Sequence, residues 1–97
     1  MTSNQTEITL AHEAHRSDDV LHQNMGGDSV LLDLGSEHYF GLNAVGTAVW
    51  EWLSEDPRLS AIHSRLCEKY PVEPAVLEQD LVDLMVALRQ AGLVTIS

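Results

Sequence analysis

The stretch Val30 to Trp52, VLLDLGSEHYFGLNAVGTAVWEW, constrains the fold more than any other part of the chain. Val30, Leu32 and Leu34 alternate with Leu31 and Asp33, which is the two-residue period of a half-buried strand. Gly35-Ser36-Glu37 is too polar to continue that strand, so a turn is expected there. His38 to Leu42 resumes extended character with two aromatics, and Asn43 supplies a short side-chain oxygen that can cap the free N–H groups of a following helix. A hairpin therefore leads directly into a helix that carries both tryptophans.

Upstream, Val20 to Met25 reads as another strand, and Gly26-Gly27-Asp28 is a strong hairpin signal because glycine adopts the positive φ that tight hairpin turns require. Three consecutive antiparallel strands imply a meander, with the third at an edge unless the N-terminal segment covers it. Residues 1–18 are polar and without steady periodicity. They are read as a flexible N-terminal segment, with Ile8, Thr9 and Leu10 as the place for a short strand, and residues 19–97 as the folded domain.

Downstream, the first helix is expected from Asn43 to Ser54, with Val45, Val49, Trp52 and Leu53 on its inner side and Trp50 near the border. Pro57 ends it. A second helix runs from Leu59 to Tyr70 with Leu59, Ile62, Leu66 and Tyr70 at helical spacing, and Pro71 stops it. Pro74 suits the first turn of a third helix, whose apolar stripe is Leu77, Leu81, Leu84, Met85 and Leu88 and which Gly92 terminates. Leu93 to Ile96 returns as a short strand or apolar tail. The sum is an α+β fold in which a three-stranded antiparallel sheet is followed by three helices packed on one face. Leu32, Leu42, Leu81 and Leu88 are expected in the core, and of the neighbours Tyr39 and Phe40 only one can face it.

Composition narrows the function. The 97 residues carry 15 Asp and Glu against 5 Lys and Arg, a net charge of -10, which repels phosphate and makes nucleic acid and anionic membranes poor partners. No apolar run approaches the roughly 20 residues of a membrane helix, and the N-terminus lacks the basic start and apolar stretch of a secretory signal, so a cytoplasmic location is expected. Cys67 has no partner for an intrachain disulfide and is read as a buried, unreactive thiol. His12 and His15 lack the spacing of the HExxH zinc motif, and His22, His38 and His63 are scattered, so no metal or cofactor is expected. The chain has no GxSxG, no P-loop and no Cys–His motif, and no catalytic residue is assigned.

The ordered series VLLDL, a polar turn, HYFGLN, AVGTAVWEWL, a helix ending in EKY, a Pro-containing turn and LEQDLVDLMVALRQAGLV closely resembles the PqqD-like family over about residues 20–96. These proteins are RiPP recognition elements, small winged helix-turn-helix-like domains that bind the leader segment of a ribosomally synthesised precursor peptide. The LLDL and YFGLN forms look most like the stand-alone version of lasso-peptide biosynthesis, which works beside a separate leader peptidase and a cyclase. Similar sequences serve other peptide-modifying systems, including radical-SAM partners.

The resemblance implies that a leader lies between the third strand and the third helix. Edge-strand physics supports the same arrangement, since an open edge presents unpaired N–H and C=O groups that an extended peptide satisfies by adding a strand. Carried onto this sequence, the strand wall is His38, Tyr39, Phe40, Gly41 and Leu42. With Leu77, Leu81, Met85 and Leu88 turned to the core, the helix wall is Val76, Asp80, Asp83, Leu84 and Ala87, where the two aspartates meet Lys or Arg of a leader. Three other readings stand beside this one. A winged-helix DNA-binding regulator has the wrong charge on its third helix, a small enzyme has only unordered histidines in its favour, and an inert subunit differs from the adaptor only in what fills the groove.

Overall fold

The structure, a computed structural model, describes residues 7–97. Its elements in chain order are β1 (Ala14–Arg16), β2 (Val20–Met25), β3 (Asp28–Asp33), β4 (His38–Leu42), α1 (Ala44–Leu53), α2 (Leu59–Lys69), α3 (Pro74–Gln90) and β5 (Val94–Ile96). β2, β3 and β4 form the expected antiparallel meander, with β3 in the centre and β4 at one edge. The first turn is the Gly26-Gly27 pair, with φ of 73° and 109°, values that L side chains rarely adopt. At the second turn the Gly35 N–H donates to Asp33 Oδ1 at 3.0 Å, which holds the Asp33 carboxyl below its ordinary value.

Register decides which face of this sheet is buried, and it runs opposite to the expectation for β3. Leu31 pairs with Phe40 and Ser29 with Leu42, and these inner positions lie against α1, whereas Leu32 pairs with Leu21 and Tyr39 on the solvent face. Leu31 is fully buried and Leu32 only half-buried, so Leu31 replaces Leu32 in the core. VLLDL has apolar residues in both phases, so its pattern fixes a strand without fixing the face. The choice becomes possible because Ser29, a polar residue in the buried phase, shares a 2.7 Å hydrogen bond with Thr47 of α1.

That bond joins sheet to helix, and its removal has a definite expected cost. A Thr47→Val change leaves the Ser29 hydroxyl buried without its partner and is expected to destabilise by about 1–3 kcal/mol. The double change Thr47→Val with Ser29→Ala should recover much of the loss, because no polar group is then stranded. Urea unfolding of the two variants checks both statements.

The helices lie close to their expected bounds. Asn43 caps α1, accepting from the Gly46 N–H at 2.8 Å, and Pro74 opens α3. Within α1 the tryptophans exchange the places expected of them. Trp50 is buried and Trp52 lies at the rim, where the Arg65 guanidinium sits 4.6 Å from its ring centroid. The inner face of α1 is Gly46, Thr47, Val49, Trp50 and Leu53, because the small residues let the helix approach the sheet. A Cβ on Gly46 would stand 3.1 Å from Leu42 Cδ2. The core stripe of α3 is Leu77, Leu81, Met85 and Leu88, with Leu84 left half-buried beside it.

The N-terminal segment departs most from expectation. Residues 1–6 lie outside the described residues, and Ile8 to Leu10 form no strand. Instead β1 pairs antiparallel with β5, Ile8 and Ala14 enter the core, and the Arg16 guanidinium stacks 4.9 Å from the Trp50 ring centroid. Backbone bonds extend this attachment. Glu13 and Ser97 exchange a reciprocal pair at 2.9 Å, and the Ala14 N–H donates to the Pro57 carbonyl at the same distance. β1 therefore does not cover the β4 edge, since its partner is β5 at the far end of the chain, and among the described residues no strand pairs with that edge.

Candidate functional site

A groove of about 680 Å³ opens between β4 and α3. Its strand side is Phe40, Gly41 and Leu42, continuing through Asn43 to Val45 and Gly46 at the start of α1. Its helix side is Leu77, Asp80, Asp83 and Leu84, and Tyr70 and Val72 of the α2–α3 connection also line it. Each wall has a local cause. Phe40 and Leu42 share the inner phase of β4, and residues 77, 80, 81, 84 and 88 follow the helical repeat, so the flank of the α3 core stripe faces the strand.

The chemistry of the groove is apolar below and acidic above. Leu42 and Leu77 are buried, Phe40, Leu84, Val45 and Tyr70 are half-buried, and Asp80 and Asp83 are exposed. Gln79 Nε2 donates to Asp83 Oδ1 at 2.9 Å, which holds that carboxylate on its helix turn. Among the described residues no lysine or arginine lines the groove. Such a surface suits an extended chain with apolar side chains and a basic residue near the two carboxylates.

Of the residues singled out in the sequence, the structure gathers Phe40, Gly41, Leu42, Asp80, Asp83 and Leu84 around this groove. His38 sits at the exposed start of β4, Tyr39 is on the solvent face at 75% exposure, Val76 is exposed in the first turn of α3, and Ala87 is half-buried further along it. These four lie outside the groove lining. Asn43, Val45, Gly46, Tyr70, Val72 and Leu77 are additions. A signal existed for two of them, since Tyr70 and Val72 put apolar surface on either side of Pro71, where a solvated loop would carry polar residues.

Among the described residues there is no group of three or more His, Cys, Asp or Glu that could hold a metal ion. Cys67 is half-buried rather than buried, with its Sγ 3.6 Å from His63 Nε2. The same nitrogen lies 2.8 Å from the Pro74 carbonyl oxygen, which can only accept, so Nε2 carries the proton and has no lone pair for the thiol. His63 thus ties α2 to the start of α3. No helix among the described residues is long and apolar enough to cross a membrane.

With strand edge, groove and helix wall in place, comparison with known proteins identifies the family. The family Coenzyme PQQ synthesis protein D (PqqD) matches residues 28–94, from the first residue of β3 to the first of β5. The chain belongs to the PqqD family. Among solved structures, this PqqD-family chain is similar to TbiB1 in complex with the TbiA(beta) leader peptide, at 36% identity and a TM-score of 0.77, covering 82% of this chain and 93% of that one. A lasso peptide synthetase B1 complexed with its leader peptide shares the fold, with a TM-score of 0.76 at 23% identity over 86% of this chain and 98% of that one. No curated protein matches the chain. The resemblance read from VLLDL, HYFGLN and the α3 sequence is therefore borne out at the level of the family.

Proposed function

We propose that this PqqD-family chain is a non-catalytic adaptor, a RiPP recognition element that binds the leader of a precursor peptide and presents it to modifying enzymes. The observation that carries the reading is an open strand edge, β4, standing beside an apolar groove whose other wall is α3. An extended leader adds to β4 as a strand, its main chain satisfying the free edge while alternate side chains enter the groove. TbiB1, the 36% identical neighbour, is itself complexed with a leader peptide, which supports the same class of ligand here.

The binding unit is residues 19–97, with residues 8–17 acting as a strap that holds it together. Phe40, Gly41, Leu42, Asp80, Asp83 and Leu84 contact the leader, and His38, Tyr39, Val76 and Ala87 border it on the strand and helix. Asp80 and Asp83 pair with a basic leader residue. The chemistry lies on other polypeptides, a leader peptidase and a cyclase of the lasso type, and the complex works in the cytoplasm.

Titration of the ¹⁵N-labelled chain tests this reading. The ligands are the TbiA(beta) leader peptide and the leaders of precursor genes neighbouring the chain's own gene. The expected result is micromolar or tighter binding by at least one leader, with shifts concentrated at residues 38–43, Tyr70, Val72 and residues 77–84. Absence of shifts with every leader would remove the adaptor function.

A further inference from the structure

Gly41 stands between two hollows. Besides the groove on the inner side, a second hollow of about 460 Å³ shares Gly41, Leu42 and Asn43 with it and adds Met25, Asp28, Ser29 and Val30. Gly41 pairs with Val30, in the phase opposite to the inner pairs Leu31–Phe40 and Ser29–Leu42, so the Met25, Asp28, Val30 and Gly41 side of this second hollow lies on the solvent face, at the end of the sheet. The two hollows thus flank the C-terminal half of β4, one on each face.

Neither backbone nor packing of the free chain requires glycine here. Gly41 is not among the positive-φ glycines, and a Cβ built on it would meet nothing within 4 Å. Glycine weakens a strand, and when it persists without a conformational need it marks a place where something else approaches. Met25, 63% exposed at the rim, is a second apolar group without a cover. An aromatic ring placed across the strand from a glycine covers its bare backbone, a pairing used to rescue glycine in sheets. β3 puts Val30 opposite Gly41 rather than an aromatic, and the other side of β4 is the open edge.

We infer that the hollow over Gly41 is a second side-chain subsite for the peptide that adds to β4, and that it takes an aromatic residue. This rests on the strand-addition reading above and extends it to both faces. Successive residues of a strand point to opposite sides. The peptide residue opposite Gly41 therefore lies on the solvent face, its ring over Gly41 with its edge toward Val30 and Met25. Its two neighbours, opposite Phe40 and Leu42, point into the inner groove. Selection then reads three consecutive residues, with the aromatic in the middle and apolar residues on either side.

The test is a display library of random 12-residue peptides selected against the wild-type chain and, separately, against Gly41→Val. Valine suits a strand and its Cβ has open space, so the variant should give a dispersed amide spectrum. Wild-type selection is expected to enrich one aromatic position flanked by apolar residues. Gly41→Val should replace that aromatic with a small residue and keep the flanking preference. A selected aromatic peptide should bind Gly41→Val at least tenfold more weakly than wild type, while its aromatic-to-Ala version binds the two chains equally. Met25→Ala, a change at an exposed side chain, should weaken only the aromatic version, about threefold. Retention of the same aromatic by Gly41→Val, with unchanged affinity, would overturn the subsite and leave the adaptor intact. Failure of wild type to select any peptide that shifts residues 38–42 would instead remove strand addition, and the subsite with it.

Discussion

A Leu84→Arg chain is expected to lose leader binding by about 100-fold, close to 3 kcal/mol, while remaining folded. Leu84 is half-buried on the helix wall of the groove, one turn after Asp80. Under the proposed strand addition, an arginine there occupies the space that peptide side chains need. It also pairs with Asp80 at the i, i+4 spacing, withdrawing a carboxylate from the ligand. The same pair supports the helix and offsets part of the lost packing, so the melting temperature should fall by only a few degrees. Calorimetry with a leader that binds wild type supplies the affinity, and circular dichroism the fold. Gln90→Arg, an exposed change at the end of α3, is the control and should leave affinity within twofold. Equal binding by Leu84→Arg and wild type would place the peptide somewhere other than this groove.

The second large effect concerns the strap. A chain that begins at residue 19 keeps every groove residue but is expected to lose about 4 kcal/mol or more, a large share of the 5–15 kcal/mol that stabilises a typical domain. It loses Ile8 and Ala14 from the core, the β1 partner of β5, and the Arg16 cover over Trp50. It also loses the bonds from Ser17 to the Gly92 and Leu93 carbonyls, which fasten the end of α3 to β1. For a chain of this size the melting temperature should fall by roughly 15–30 °C. Thermal unfolding of the truncated and full chains measures the difference. A shift of less than about 5 °C would mean that the segment is held too weakly to matter. The strap bears on the groove because α3, whose end it fastens, is one of the groove walls.

Several parts of the candidate site were legible because local chemistry dictates them. Gly26-Gly27 requires a turn, Asn43 a cap, and Pro57, Pro71 and Pro74 the helix limits, whatever the rest of the chain does. Leu77, Leu81, Met85 and Leu88 repeat at a spacing that leaves one possible inner face, and Asp80, Asp83 and Leu84 follow on its flank. That Asn43, Tyr70 and Val72 line one groove was not legible, although the apolar pair around Pro71 marked a loop with an unusual surface. Those residues come from two separate connections, β4–α1 and α2–α3, that meet only after the helices pack.

The amino-acid sequence by itself determined the element order, the meander, the acidic surface and membership of the PqqD-like group, since each follows from neighbours along the chain or from composition. Tertiary structure decided what depends on long-range pairing. It chose Leu31 over Leu32 for the core, because Ser29 finds Thr47 in that phase and VLLDL is apolar in both. It sent Trp50 inward and Trp52 to the rim, because one helix face has to meet the sheet while Arg65 shields the other ring. It also assigned the N-terminal strand to β5 instead of β4. A three-residue strand carries no record of its partner, and with that pairing β4 keeps one edge without a strand partner among the described residues.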